Sequence, residues 1–459
     1  MNRITNKSVL FNQHLRIADR SLLRLGQGGA IAILLLATAC GGSQTTTESP
    51  SPDTATLPTS GETSESIEGQ LKLGSLLPIT GDLAQYGTTM QDSVNLLIET
   101  INSCEGALGK PVTLISEDDQ TDPAAGASGM TKLAEVDKVA GVIGAAGSAV
   151  SSAAVDIAVR NQVVQISPSS TSPDFTERAK KGEFNGFWFR TASPDTFQGD
   201  ALAQLAKQQN LQNVSVLAIN NDYGNGLVQA FTTAFKAQGG TVANEANPTL
   251  YAENATTFDS ELTAAFNGNP DAVLIVAYPE TGSLILKTAY EQGLLDGETK
   301  ILLTDGMKTE GIAELVGKGS DGEFIVSGVL GTAPSAGGPG LDQFKQAYDA
   351  KFNREPNVYD PNSWDAAAVL VLASEAAKGN TGAAIKDKIR EVANPPGEDV
   401  TDVCEALSLV RQGQDINYQG ASGTVDFNEE GDVVGAYDIW TITDDGKLEI
   451  ESTIEVGGA

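Results

Sequence analysis

The residues that offer binding chemistry are polar side chains at the ends of short apolar runs. Ser148 precedes a predicted helix, where backbone N–H groups and the helix dipole favour an anion. The same position equally suits a serine that only caps the helix. Ser169 and Thr171 lie between two prolines, and Asp305 precedes a glycine, so all three are also typical of turns.

The sequence lacks the patterns that catalysis and metal binding usually require. Its single histidine is His14, so imidazole chemistry depends on a residue in an N-terminal segment that we expect to be removed. The glycines at 141–147 and 311–319 do not have dinucleotide or phosphate-loop spacing, and no Gly-x-Ser-x-Gly occurs. Aspartates at 118, 119 and 122 are more typical of a solvated loop than of a cation site. We therefore predict no enzyme, no metal site and no cofactor.

Strong acidity further restricts the partners. The chain has 29 basic and 60 acidic residues, a formal charge of −31 over 459 residues. Binding to nucleic acid requires a basic surface that neutralises phosphates, so we expect no nucleic-acid partner.

The N-terminus has the parts of a secretory signal. Five basic residues precede the apolar run 30–37, which is too short to span a bilayer, and the segment ends in Leu-Ala-Thr-Ala before Cys40. We predict a lipoprotein signal peptide at 1–39 with Cys40 lipidated; ordinary signal-peptidase cleavage at the same bond is the alternative. Residues 40–69, rich in Ser, Thr, Pro and Gly, then form a disordered linker.

Cleavage before Cys40 would leave an exported protein at the cell envelope, and we call its folded part from residue 70 onward the body. The remaining chain would have 24 basic and 59 acidic residues, a charge of −35. Attraction to an anionic membrane surface is then weak, so the lipid has to hold the protein there.

From residue 70 onward, short β-rich runs alternate with amphipathic helical stretches. The runs Ala272–Ala277 and Val139–Gly144 are apolar throughout, as expected for parallel strands that are covered on both faces. This alternation predicts an α/β protein with parallel sheets. About nine such units exceed one open sheet, so we predict two lobes with a boundary near 191–196.

Two cysteines remain in the predicted mature body. Cys104 and Cys404 form an even pair in an exported chain, which favours a disulfide between an early and a late helix. Two buried free thiols are the alternative.

Several stretches occur in an order that resembles a known family. They are Leu77–Gly87, Asp118–Pro123, Gln165–Pro173, Asn221–Gly224 and Tyr278–Glu280. Together they resemble the branched-chain amino-acid (Leu/Ile/Val) substrate-binding proteins of ABC transporters, which are type I periplasmic binding proteins. The resemblance covers roughly residues 70–451.

The resemblance implies two doubly wound lobes joined by three hinge crossovers, with the ligand in the cleft. The crossovers would lie near 191–196, 327–332 and 420–425. Lobe 1 would comprise 70–192 and 330–422, and lobe 2 would comprise 193–329 and 423–459.

The resemblance also implies roles for individual residues. Ser148 would bind the α-carboxylate of the ligand, Ser169 and Thr171 would contact the amino-acid head group, and Asp305 would pair with the ammonium. Tyr86, Tyr223 and Tyr278 would line the cleft, although each is also compatible with an ordinary core position. Where well-studied members have a cysteine before the serine, this chain has Gly147, so the local disulfide of those members is absent.

The function implied is that of a monomeric, lipid-anchored receptor that captures an amino acid, branched-chain or otherwise neutral, or a related amide. It would deliver the ligand to the permease subunits of an ABC importer. A sensory receptor that reports its ligand to a signalling partner is the alternative, because the same fold serves both.

Overall fold

The computed structural model describes residues 69–456, in which short strands alternate with helices. The predicted signal peptide, Cys40 and nearly all of the predicted linker lie outside the described residues. The strands are β1 (Lys72–Leu77), β2 (Thr113–Asp118), β3 (Gly141–Gly144), β4 (Val164–Ser167), β5 (Trp188–Arg190), β6 (Asn213–Ile219), β7 (Thr241–Val242), β8 (Thr249–Tyr251), β9 (Ala272–Val276), β10 (Lys300–Leu303), β11 (Leu330–Pro334), β12 (Glu398–Val400), β13 (Ile416–Tyr418), β14 (Tyr437–Ile442) and β15 (Leu448–Ile454).

Helices cover both faces of the sheets that these strands form. They are α1 (Ala84–Ser103), α2 (Pro123–Thr131), α3 (Ser148–Arg160), α4 (Asp174–Lys180), α5 (Asp195–Gln208), α6 (Asp222–Ala237), α7 (Asp259–Ala265), α8 (Pro279–Glu291), α9 (Ile312–Val316), α10 (Leu341–Phe352), α11 (Asp360–Ala377), α12 (Gly382–Ile385), α13 (Ile389–Ala393) and α14 (Val403–Arg411). Among the described residues, no helix is both long enough and apolar enough to cross a membrane.

The first sheet is fully parallel, in the order β2-β1-β3-β4-β5. Strands β3 and β4 are buried on both faces because helices cover both, whereas the edge strand β2 is only partly buried. Leu73 belongs to the same core cluster as the residues of α1 and α11, whereas Leu76 packs with Met130 of α2 and with Val150 of α3. We call this sheet, with α1–α4 and α10–α14, the first lobe.

The second sheet is mixed, in the order β15-β14-β11-β10-β9-β6-β7, and β8 also pairs with β6. Strands β6 to β11 are mutually parallel wherever they pair, and β9 is buried along its whole length. Strands β14 and β15 run antiparallel because a tight turn joins them, in which the Thr443 N–H donates to the carbonyl of Lys447. We call this sheet, with α5–α9, the second lobe; its parallel part is as predicted, and β14 and β15 add an antiparallel edge.

The chain passes between the two lobes three times. The connections are 191–194 from β5 to α5, 335–340 from β11 to α10, and 419–436 from β13 to β14. The second and third connections lie side by side, since Gly340 N–H donates to the carbonyl of Gly420 at 2.9 Å.

Two of the sequence-based lobe boundaries were wrong. The boundary at 330 is too early, because Leu330–Pro334 forms β11 between β10 and β14 of the second sheet. The boundary at 423 is also too early: Phe427 packs edge-on against Phe189 of the first lobe, and Asp432 pairs with Arg190. Residues 325–329 and 423–428 on either side of these boundaries are turns and irregular chain.

A disulfide joins the two ends of the first lobe. Cys104 directly follows α1, and Cys404 lies in the first turn of α14, with their Cα atoms 5.8 Å apart. The bond closes a loop with a sequence separation of 300 residues.

Candidate functional site

A narrow cavity lies between the two lobes. Its lining combines apolar, aromatic and charged groups from both lobes: Leu83, Tyr86, Met90, Ala146, Gly147, Ser148, Ser169, Tyr223, Tyr278, Asp305, Gly306 and Tyr359. Six of the seven residues that the sequence singled out for binding therefore lie at one site.

One end of the cavity is the beginning of α3. Gly147 is the N-cap residue and Ser148 is the first residue of the helix, so Ser148 does not cap α3 as the simpler interpretation held. The first N–H groups of a helix have no partner within it, and the helix dipole favours an anion at this end. The Ser148 hydroxyl accepts the N–H of Ser172 at 3.2 Å, which joins this helix end to the loop after β4.

The loop after β4 supplies Ser169 to the cavity wall. The Ser169 hydroxyl donates to the carbonyl of Ala146 at 3.0 Å, and that of Ser170 donates to the same carbonyl at 3.0 Å. These bonds tie the loop to the chain segment that leads into α3, so both sides of this end of the cavity are held together.

Thr171 is not at the cavity wall, which departs from the role predicted for it. Its side chain is fully buried behind the lining, and its carbonyl accepts the N–H of Asp195 at 2.8 Å. Sequence alone could not say which residues of this loop would face the ligand, because that depends on how the loop packs in the folded chain.

Asp305 lines the cavity from the second lobe, in a single turn of 3-10 helix that follows β10. Its Oδ1 accepts the hydroxyl of Tyr223 at 2.7 Å, and its Oδ2 accepts the hydroxyl of Tyr359 at 2.6 Å. A third hydroxyl, from Tyr86, donates to the Asp305 carbonyl at 3.1 Å. The carboxylate is therefore fixed in orientation from both lobes.

Burial and hydrogen bonds act in opposite directions on Asp305. Burial raises the pKa of its carboxyl, whereas the hydroxyls of Tyr359 and Tyr223 lower it. Burial and the Asp305 charge raise the pKa values of both tyrosines well above their ordinary value, so their hydroxyls stay protonated and can donate. Burial prevails, so the pKa of Asp305 lies above its ordinary value, and the two hydroxyls hold its carboxyl group toward the cavity.

Aromatic rings form much of the cavity wall. Tyr223 and Tyr278 stack with ring centroids 5.6 Å apart, and Tyr86 meets Tyr359 edge-on at 6.0 Å. Rings packed in this way offer a rigid apolar surface with polar tips, which suits a ligand with an apolar part.

Sequence reasoning missed Tyr359. It lies just before α11, about 54 residues from its partner Asp305 along the chain, and no local pattern around it distinguishes it from a core tyrosine. Only the folded chain brings the beginning of α11 to the cleft. Within residues 69–456, the structure has no group of three His, Cys, Asp or Glu side chains placed to hold a metal ion.

Comparison with known proteins relates this architecture to ligand receptors. The chain is 25% identical to a chemotactic signal transduction substrate-binding protein, BasB, of Halobacterium salinarum, covering 84% of this chain and 90% of that one. It is 27% identical to Leu/Ile/Val-binding protein homolog 1 of Brucella suis, over 70% of this chain and 82% of that one. The structure of the leucine binding protein LivK of Thermotoga maritima superposes with a TM-score of 0.70 at 26% identity, covering 84% of this chain and 99% of that one.

A family model shows the wider relationship. The model described as the receptor family ligand binding region matches residues 89–445, which is more than half of the chain. The two-lobed α/β architecture is that of the type I periplasmic binding proteins, and this family and fold are those of solute-binding and receptor proteins and not of enzymes. The chain thus belongs to the family that this model describes, the receptor family ligand binding region.

Proposed function

We propose that this chain is the substrate-binding protein of an ABC importer and that it captures a neutral amino acid or a related small amide between its lobes. The observation that carries the proposal is that two complementary groups line one cavity. Asp305 lines the cavity from the second lobe, and the beginning of α3 at Ser148 lines it from the first.

These two groups are complementary to a zwitterion. The helix end favours the α-carboxylate, and the oriented Asp305 carboxylate favours the ammonium. The tyrosine wall with Leu83 and Met90 then offers an apolar surface to the side chain. Relatives named as Leu/Ile/Val-binding proteins support the same ligand class.

The two-lobed fold supports capture by closure. Three connections join the lobes, and Tyr86 and Tyr359 of the first lobe donate to Asp305 of the second. A ligand that contacts both lobes favours the closed arrangement in which these bonds form. Export with a lipid on Cys40, delivery to permease subunits and a monomeric state complete the proposal.

The test is a calorimetric screen of the body, residues 69–459, against amino acids, amides and urea. Asp305→Asn keeps the side-chain shape and removes the charge, so it should weaken amino-acid binding by about 10- to 150-fold, the equivalent of about 1.5–3 kcal/mol. Asp296→Asn, at an exposed residue of the same lobe, should leave affinity unchanged. Equal affinities of the two variants would contradict the role of Asp305.

Sensing is the second candidate function, because one relative belongs to a chemotactic signal transduction system. Deletion of the chain in its own organism distinguishes the two roles. Loss of ligand uptake with normal taxis supports transport, whereas loss of taxis with normal uptake supports sensing.

A further inference from the structure

A second buried carboxylate lies behind the cavity. Asp195 is the first residue of α5, directly after the first connection between the lobes, and its side chain is 0% exposed. Neither of its carboxylate oxygens has a hydrogen-bond partner among residues 69–456. A buried ionised carboxylate without a partner is unfavourable, so this group needs a physical explanation.

The charged and titratable groups that face Asp195 include one cation. They are Asp305, Arg190, Tyr223 and Tyr437. The Thr171 hydroxyl is also near, although it does not form a hydrogen bond with the carboxylate in this geometry.

Arg190 is the cation of this set, and its guanidinium nitrogens already bind other groups. It pairs with Asp432 at 2.6 Å and donates to the carbonyls of Ser170 at 3.1 Å and Ser172 at 2.9 Å. Its remaining nitrogen donates to the Thr176 hydroxyl at 2.8 Å. Asp195 and Asp305 are thus two buried carboxylates that share no free cation among the described residues.

The two carboxylates differ in how well hydrogen bonds stabilise their negative charge. Both oxygens of Asp305 accept tyrosine hydroxyls, whereas those of Asp195 accept none. Burial raises the pKa of Asp195 well above its ordinary value, and the charge of Asp305 raises it further. A proton held by the pair therefore resides mainly on Asp195, which leaves Asp305 ionised toward the cavity.

We propose that Asp195 and Asp305 together hold one proton when the cavity is empty, and that the pair releases it when a ligand ammonium binds at Asp305. The ammonium keeps its own proton. The pair changes from a total charge of −1 to −2, and the released proton goes to the solvent buffer. This inference rests on the proposed function, because it requires a ligand with a cationic group.

The consequence is selectivity for ligands that carry a positive charge. An ammonium supplies the counter-charge that the described residues do not, whereas a neutral amide or urea leaves the proton in place. Asp195 acts on the ligand through Asp305, since it is not part of the cavity lining. Amino-acid affinity should rise with pH while the pair titrates, and the slope of log K against pH should equal the number of protons released.

Calorimetry in buffers with different ionisation enthalpies measures this proton directly. L-Leucine is titrated into the body at one pH in phosphate and in Tris, and the dependence of the observed enthalpy on buffer ionisation enthalpy gives the protons exchanged. We expect net release for the wild type and none for Asp195→Asn. Asp200→Asn, at an exposed residue of the same helix, is the matched control and should retain the release.

The possible failures are distinguishable. Leucine binding by the wild type without proton release, or with proton uptake, overturns this inference and leaves the proposed function standing. Absence of binding to leucine and every other amino acid overturns the proposed function itself. If Asp195→Asn does not fold, the pH dependence of wild-type affinity decides, because a flat profile from pH 5 to 8 contradicts the proton release.

Discussion

The buried ion pair between Arg190 and Asp432 gives the sharpest prediction for stability. The Arg190 side chain is 0% exposed and that of Asp432 is 4% exposed, with 2.6 Å between Nε and Oδ1. Arg190→Met removes the cation but keeps much of the apolar volume. The buried Asp432 carboxylate then retains only the Thr176 hydroxyl, at 2.6 Å, among its side-chain partners.

The size of the stability loss follows from the buried groups that Arg190→Met leaves without a partner. Breaking one partner of a buried ion pair typically costs about 3–5 kcal/mol. The carbonyls of Ser170 and Ser172 also lose their donors, and each unsatisfied buried acceptor adds about 1–3 kcal/mol unless the loop moves. We expect Arg190→Met to lower the free energy of unfolding by about 4 kcal/mol or more.

Urea denaturation at pH 7 with the disulfide intact is the assay. The double variant Arg190→Met with Asp432→Leu should recover part of the loss, because no uncompensated charge remains. Arg354→Met removes a comparable pair with Asp92 at 2.6 Å, but those side chains are 37% and 32% exposed, so it should cost only about 0–1 kcal/mol. A loss below about 1 kcal/mol for Arg190→Met, or a double variant as unstable as the sum of the single ones, would refute this reasoning.

Two further predictions concern the first lobe. Replacing Cys104 and Cys404 with serine should lower the free energy of unfolding by about 2–5 kcal/mol, because the unfolded chain loses a long closed loop; an unchanged urea midpoint would contradict this. Burial raises the pKa of Asp119 to about 7, so the folded state binds more protons than the unfolded state between roughly pH 4 and 7 and its stability falls as pH rises through that window. Asp119→Asn should remove this part of the fall, by at most about 4 kcal/mol at pH 8, and parallel stability profiles of the two proteins between pH 5 and 8 would refute it.

Much of the site was predictable because the ends of parallel strands carry it. Ser148, Ser169 and Asp305 follow apolar runs, and in open α/β sheets ligands bind outside the carboxyl ends of the strands. Family resemblance then supplied the roles of the tyrosines, which local pattern could not distinguish from core residues. Tyr359 could not be predicted, because no sequence pattern near it indicates a position in the cleft.

The lobe boundaries also could not be predicted from local sequence. The predicted boundary at 330 was wrong because an apolar run does not show which strands it will pair with; in the structure Leu330 pairs with Leu302 of β10 and with Thr441 of β14. Chain direction was equally unavailable from periodicity, so the antiparallel β14 and β15 were found only in the fold. Pairing between strands distant in sequence decides both features.

By itself, the sequence determined the α/β class, the alternation of apolar strands with amphipathic helices, and the absence of histidine chemistry from the body, since these depend on local pattern and composition. The predicted anchor at Cys40 also depends on local sequence. The tertiary structure alone decided that two tyrosine hydroxyls orient Asp305, that Thr171 lies behind the wall, and that Asp195 is buried without a hydrogen-bond partner among residues 69–456. These are contacts between distant parts of the chain, and their energies depend on burial, which arises only when the two lobes pack together.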